Sequence, residues 1–254
     1  MTLRSQLGDL RRQLLSAVHR RPVAVGKTGP VVTFCFDDFP RTAYTAGGSI
    51  LKSFGARGTY YAALGLMNSS NQLGDQLRIS DSDSVLLDGH ELGSHTFSHL
   101  SCRRVSGKAF EQDVLRGRDE IRKLTGCDAC NFSYPFGHVG LNLKKRLGTQ
   151  MMSCRSIYGG INGPDADLNL LLANSLYGDM DQFDRAERLL TENAERRGWL
   201  IFYTHDVRKD PSPFGCTPRL LEMVLSRAVE KGFHISTARE AVESMVSASG
   251  SPCA

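Results

Sequence analysis

Short apolar runs alternate with stretches of helical periodicity along most of the chain. Val31–Phe36, Gly58–Ala63, Glu91–Ser94, Asn131–Tyr134, Gln150–Ser153, Leu171–Ser175, Leu200–Thr204 and His234–Ser236 predict strands. Between them, Ala46–Phe54, Asp81–Leu87, Lys108–Leu124, Leu141–Leu147, Gln182–Arg197 and Pro218–Glu230 predict helices. The Lys108–Leu124 helix shows its period in Phe110, Val114, Ile121 and Leu124, and Gly126 is placed to stop it. Such alternation implies an α/β fold, with parallel strands and helices outside them. Its extent suits a (β/α) barrel, with an open doubly wound sheet as the other arrangement.

Ahead of the first strand, Leu3, Leu7, Leu10, Leu14 and Val18 form the stripe of an amphipathic helix. The helix is expected to pack on the body through that stripe. A basic helix of this kind also suits an anionic membrane surface, giving residues 1–21 a peripheral membrane contact, or a second subunit. No apolar run approaches the roughly 20 residues of a membrane span. The chain has no fixed-period repeat, no phosphate-binding glycine motif and no Pro/Gly-rich linker. The expected organisation is a basic amphipathic helix over residues 1–22, one domain over 23–246 and a flexible tail over 247–254.

Composition narrows this further. With 41% hydrophobic and 23% charged residues, the chain has enough apolar surface to fold without disorder dominating. Its net charge of +4 is carried by Arg4, Arg11, Arg12, Arg20 and Arg21 against Asp9, so the remainder is neutral. No nucleic acid partner is expected, because no basic face is available on the folded body. Charged residues interrupt the first dozen positions, and the 7 cysteines follow no framework pattern; both features point to a cytoplasmic address. Cys127 and Cys130 have CxxC spacing, but no second pair or nearby histidine completes a structural zinc site.

Polar groups gather where apolar strands end. Val31–Phe36 runs into Asp37 and Asp38, adjacent carboxylates that at a strand's C-terminal end face a barrel mouth or cap a turn. His95 and His99 follow the next such strand at i and i+4, on one face of a helical turn and near enough to share a metal. With a strand-end Asp, two histidines leave a tetrahedral ion one open position, as in a catalytic site. Phe132–Gly137 holds a sharp bend at Pro135 and Gly137, and the apolar strand Leu200–Thr204 ends on His205. Trp199 opens that strand and reads as core. His19, His90, His138 and His234 are expected to have no part in the chemistry, and of these His138, just past the bend, is the first candidate to touch a substrate.

Together these four segments resemble the successive motifs of the polysaccharide deacetylase family, also called the NodB-homology domain or carbohydrate esterase family four. Phe36-Asp37-Asp38 is similar to the first motif, with Phe39 where the family has Gly; Gly89 to His99 is similar to the second throughout. Phe132 to Gly137 resembles the third and Tyr203-Thr204-His205 the last. The resemblance, which runs from about Val31 to Ser236, implies a distorted (β/α) barrel with about seven strands. It also implies Asp37 as general base, Asp38, His95 and His99 as metal ligands, and His205 as general acid. The Phe136 N–H would help bind the oxyanion, and Tyr134, Pro135 and Tyr203 would border the substrate. Zinc suits the ligands, and cobalt, nickel or manganese can occupy the same set.

Three departures stand out. Ser133 occupies the place of an Arg that the resemblance would use to orient the base. The fourth motif is unclear, with Asp179, Asp181 and Asp184 as candidates. Tyr203 replaces a Leu where the acyl methyl would sit. The expected activity is metal-dependent removal of N-acetyl groups from an amino sugar or oligosaccharide. The alternatives are a hydrolase of the same fold acting on a formamide, cyclic imide or ureide, and a non-catalytic sugar-binding module.

Overall fold

The computed structural model describes residues 3–26 and 29–249. Helix α1 (Leu3–Ala17) leads through β1 (Pro22–Ala24) to β2 (Val31–Asp38). A π-helical turn runs into α2 (Ser49–Ser53), then β3 (Thr59–Ala62), a hairpin of β4 (Ser70–Asn71) and β5 (Gly74–Asp75), and α3 (Ile79–Leu87). β6 (Glu91–Ser94), α4 (Gly107–Thr125), β7 (Asn131–Ser133), α5 (Leu141–Leu147) and β8 (Ser153–Arg155) continue the alternation. After β9 (Asp165–Asp167) and β10 (Asn174–Ser175) come α6 (Phe183–Arg196), β11 (Trp199–Thr204), α7 (Pro218–Glu230), β12 (His234–Ile235) and α8 (Ala238–Ser249).

Seven strands form one curled sheet in the order β10-β11-β2-β3-β6-β7-β8, and every neighbouring pair is parallel. β12 pairs with Val31 and Val32 on the edge of β2 away from β11. A parallel bridge between Arg155 and Leu171 draws the last strand toward β10. The seven-strand (β/α) expectation therefore holds and the open doubly wound sheet does not. Alternation along β2 explains the layers: Val32, Phe34 and Phe36 pack outward on Leu51, Leu220, Leu221 and Val224 of the helices. Val31 and Cys35 face inward with Tyr61, Trp199, Ile201 and Tyr203, and Met245 of α8 closes that inner cluster. Trp199 is core, its Nε1 donating to Thr33 Oγ1 at 2.9 Å.

One strand is displaced from its predicted position. Met151 and Met152 suggest a strand over 150–153, but Met151 packs with Leu143 and Leu147 at the end of α5, and the strand is Ser153–Arg155. Its inward face is polar, with Ser153 donating to Asn131 and Arg155 to Asp37, so apolar patterning passes over it. The β1–β9 pair, the β4–β5 hairpin and α8 are likewise absent from the predicted elements. Residues 247–249 of the expected tail close α8, and 250–254 lie outside the described residues.

Among its described side chains, the first helix docks through Leu15 rather than through Leu10 and Leu14 of the leucine stripe. Leu15 is buried, whereas Leu10 and Leu14 are 63% and 47% exposed; the side chains of Leu3 and Leu7 lie outside the described set. The cause is polar: buried Lys144 donates to the carbonyls of Leu15 and Val18 at 2.6 and 2.7 Å and pairs with Asp167 at 2.6 Å. These bonds satisfy carbonyls that a helix end leaves open and so set its rotation. Arg11 and Arg12 donate to Val139 and Gly159 carbonyls at 2.8 Å, and Arg20 and Arg21 to carbonyls of the body. No helix of the described residues is long and apolar enough to cross a membrane.

His90 shows how burial couples this core to pH. Its Nδ1 accepts from Gly58 N–H at 3.0 Å while its ring packs on Tyr60, and burial pushes its pKa from 6.5 down to about 4. The folded chain keeps the ring neutral where the unfolded chain takes up a proton, so stability falls as pH drops from 6.5 toward about 4. Denaturant midpoints at pH 7 and 5 should therefore separate more for the parent than for His90→Gln; equal separations would remove His90 from the acid sensitivity.

Candidate active site

The end of β2 turns sharply. Asp38 and Phe39 have φ of 61° and 63°, a left-handed pair that costs on the order of 1–3 kcal/mol per residue. The turn divides the work of two adjacent carboxylates, Asp37 facing Arg155 in the sheet interior and Asp38 facing His95 and His99. Phe39 stands where the family pattern has Gly, and its wholly buried ring packs on Tyr60 with centroids 4.9 Å apart, burial that offsets the strain.

His95 follows β6, but the segment to His99 is not the helical turn its spacing suggests, since Thr96 and His99 have φ of 62° and 52°. The two rings still converge, with centroids 5.1 Å apart. The segment is held from α4: Asp113 accepts from the N–H groups of Phe97 and Ser98 at 3.1 and 2.9 Å. Gly117 permits the approach, because a Cβ there would stand 2.8 Å from the Thr96 carbonyl. The Ser133 carbonyl lies 2.8 Å from His95 Nδ1, and a carbonyl brings no proton, so Nδ1 carries the hydrogen and Nε2 presents its lone pair.

That lone pair and His99 Nε2 lie 3.3 and 3.0 Å from Asp38 Oδ1. The buried oxygen has no hydrogen-bond partner, and the three ligand atoms all lie within 4.8 Å of one another. Burial works to raise the Asp38 carboxyl, but the two imidazoles, when protonated, outweigh it and hold it well below the usual carboxylate range. An ionised carboxylate and two imidazole nitrogens around one point, with an orphaned oxygen among them, fit a divalent cation of borderline softness.

Asp37, Asp38, His95, His99, Tyr134, Phe136, Tyr203 and His205 border one cavity of about 370 Å³. Sequence reasoning thus brings together every assigned residue except Pro135, which is buried outside the lining. His138 also turns away, its Nδ1 lying 2.7 Å from Ser101 Oγ. Gln72 and Leu73 of the β4–β5 hairpin, Ile157, Tyr177 and Phe214 complete the wall. Phe136 has φ 58°, and its ring lies tilted against that of His99 with centroids 4.6 Å apart.

Arg155 is the site residue that sequence reasoning missed. Its guanidinium, wholly buried, bonds to Asp37 and donates to Ser133 Oγ at 2.5 Å. Ser133 and Arg155 are direct partners across β7 and β8, so the cation stands one strand sideways from the family position, at the same level. Tyr61 and Tyr203 flank it with ring centroids 5.1 and 4.8 Å from Cζ. Gly93 makes this possible, because a Cβ there would meet the Tyr61 ring at 2.6 Å. Burial works to lower the Arg155 pKa, and Asp37 with its neighbours more than reverses it, so the guanidinium stays charged. Two departures from the family pattern are therefore one rearrangement: a small Ser133 leaves room, and an aromatic Tyr203 covers the relocated cation. Neither Asp179, Asp181 nor Asp184 reaches the cavity, Asp179 accepting instead from Thr217 Oγ1 at 2.7 Å.

Comparison with known proteins gives the family and the fold. Residues 24–152, just over half of the chain, match the model of a family described as polysaccharide deacetylase. A curated relative, the peptidoglycan-N-acetylglucosamine deacetylase of Bacillus cereus, is 29% identical over 94 residues, which span 37% of this chain and 40% of the relative. The chain thus matches well under two thirds of that relative's length. A mutant of peptidoglycan deacetylase PdaC from Bacillus subtilis superposes with a TM-score of 0.55 at 17% identity, covering 87% of this chain and 95% of that one. A mutant of BA3943, described as a CE4 family pseudoenzyme, gives 0.53 at 14% identity, covering 84% and 67%. At these identities the likeness shows the fold.

Gly117→Ala should push α4 off the Thr96 carbonyl and displace both histidines. Zinc affinity measured by competition with a chromogenic chelator is expected to fall about tenfold or more, the usual cost of losing support behind a ligand. Affinity unchanged in a folded variant would show that α4 does not position the ligands.

Proposed function

The chain belongs to the polysaccharide deacetylase family, and from that premise we propose that it removes N-acetyl groups from an amino sugar of a glycan with the help of one divalent cation. The observation that carries this reading is the convergence of Asp37, Asp38, His95, His99 and His205 on one cavity. A cation held by Asp38, His95 and His99 would supply Lewis acidity, lowering the pKa of water and polarising the acyl oxygen.

The chain's own groups complete the reaction. Asp37, anchored by Arg155 and bordering the cavity, takes a proton from water as its oxygen bonds to the acyl carbon. The Phe136 N–H, turned by the left-handed backbone of that residue, donates to the oxyanion. His205 gives its proton to the amine nitrogen as the C–N bond breaks, leaving acetate and a free amine. The wall of Tyr177, Ile157, Phe136 and Phe214 offers apolar faces of the kind a sugar ring packs against.

Elemental analysis of the purified chain should find about one divalent ion, with little in Asp38→Ala, and the loaded chain should release acetate from N-acetylglucosamine oligomers. Turnover of a formamide, cyclic imide or ureide in place of acetate release would move the reading to another amide. Metal taken up without turnover of any of these would leave a binding module.

Arg155→Leu leaves Asp37 buried beside no cation. It should lower the acetate-release kcat by about tenfold or more and cost roughly 3–5 kcal/mol of stability. Returning the guanidinium to the neighbouring strand, as Ser133→Arg with Arg155→Ser, should restore part of both. Full turnover in Arg155→Leu would show that Asp37 needs no anchor.

A further inference from the structure

No carboxylate among the described residues stands behind the ring of His205, the proposed proton donor. Among the described residues, the polar partner of the His205 ring is the Phe214 carbonyl, 3.1 Å from Nδ1. A carbonyl can only accept, so Nδ1 keeps its hydrogen and proton traffic is confined to Nε2. The same oxygen accepts from the backbone N–H of His205 at 3.2 Å and from Thr204 Oγ1 at 3.4 Å. One backbone oxygen therefore sets both the main chain and the ring of this histidine.

Behind the loop that carries that oxygen lies Asp206, a wholly buried carboxylate outside the cavity lining. It accepts from Ser212 N–H at 2.9 Å and from Ser212 Oγ at 2.5 Å, and it pairs with Arg208 Nε at 2.8 Å. Ser212 Oγ in turn accepts from Phe214 N–H at 3.2 Å, and the Asp206 carbonyl accepts from Cys216 N–H at 2.9 Å. The loop between residues 206 and 216 is thus folded around one carboxylate. Arg208 extends it by donating to the Gln72 carbonyl at 3.2 Å, in the hairpin that forms the facing wall.

Resting on the deacetylase reading, we propose that Asp206 is the positioning residue of the general acid. By organising the 206–216 loop it holds the Phe214 carbonyl on Nδ1 and so aims Nε2 of His205 at the leaving nitrogen. Its effect must depend on how badly the leaving group needs a proton. An amine leaves only when protonated, whereas the phenolate of an activated aryl acetate leaves unaided.

Asp206→Asn keeps the side chain's size but sets an amide N–H against the donors it must receive. With the metal-loaded protein and N-acetylglucosamine oligomers, its kcat should fall about tenfold or more with KM changed less than about threefold. The kcat on 4-nitrophenyl acetate should stay within about twofold of the parent. In a His205→Ala background, Asp206→Asn should cost nothing further. Should Asp206→Asn fail to fold, Ser212→Ala removes one hydroxyl from the same loop, with a smaller loss of the same selectivity. Equal losses on amide and ester, or undiminished amide turnover, overturn the proposal while leaving the deacetylase reading in place. A loaded parent that releases no acetate from any N-acetylated sugar overturns that reading, and this proposal with it.

Discussion

A guanidinium and a carboxylate buried in the throat of the sheet constrain everything around them. Removing both from water is expensive, and their mutual attraction repays it only when further groups complete the solvation. Arg155 and Asp37 meet most of that condition through Ser133 Oγ, the Ser156 carbonyl and the rings of Tyr61 and Tyr203, with Arg155 Nε left unpartnered among the described residues. Gly93 must lack a side chain so that Tyr61 can lie there. The inward faces of β2, β3, β6, β7, β8 and β11 are thereby committed to one pair of charges.

The upper rim shows a different economy, in which side chains act and backbone supports them. His95 is oriented by the Ser133 carbonyl and His205 by the Phe214 carbonyl, so both imidazoles have their hydrogen fixed on Nδ1 and present Nε2. Left-handed residues cluster on the same rim, at Asp38, Phe39, Thr96, His99 and Phe136. Such backbone persists only where its surroundings over-determine it. Here Asp113 and Gly117 press on the histidine turn, and Phe39 is locked by burial against Tyr60.

The first helix is anchored by polar bonds and by Leu15 rather than by Leu10 and Leu14 of its stripe. Lys144 caps its C-terminal carbonyls, and Arg11 and Arg12 bind the carbonyls of Val139 and Gly159, in the loops that follow β7 and β8. Arg11 and Arg12, conspicuous in the sequence, thus spend donors on the chain's own backbone.

The sequence by itself determined the strand–helix alternation, the parallel sheet and the acidic and histidine side chains at the strand ends, because periodicity and side-chain chemistry are local. Asp37, Asp38, His95, His99 and His205 were legible as candidates for that reason, and the family resemblance gave them their expected roles. Arg155 was not, because its strand is short and polar inside, and because its neighbour across the sheet, Ser133, lies 22 residues away. The role of the Phe214 carbonyl was equally hidden, since every residue carries that group and only the path of the 206–216 loop selects one. The docking face of the first helix also had to wait for the fold, which set a buried lysine beneath its C-terminus. Tertiary structure decided the supports and sequence the candidate groups: a candidate group is a kind of side chain, whereas a support is a position in space.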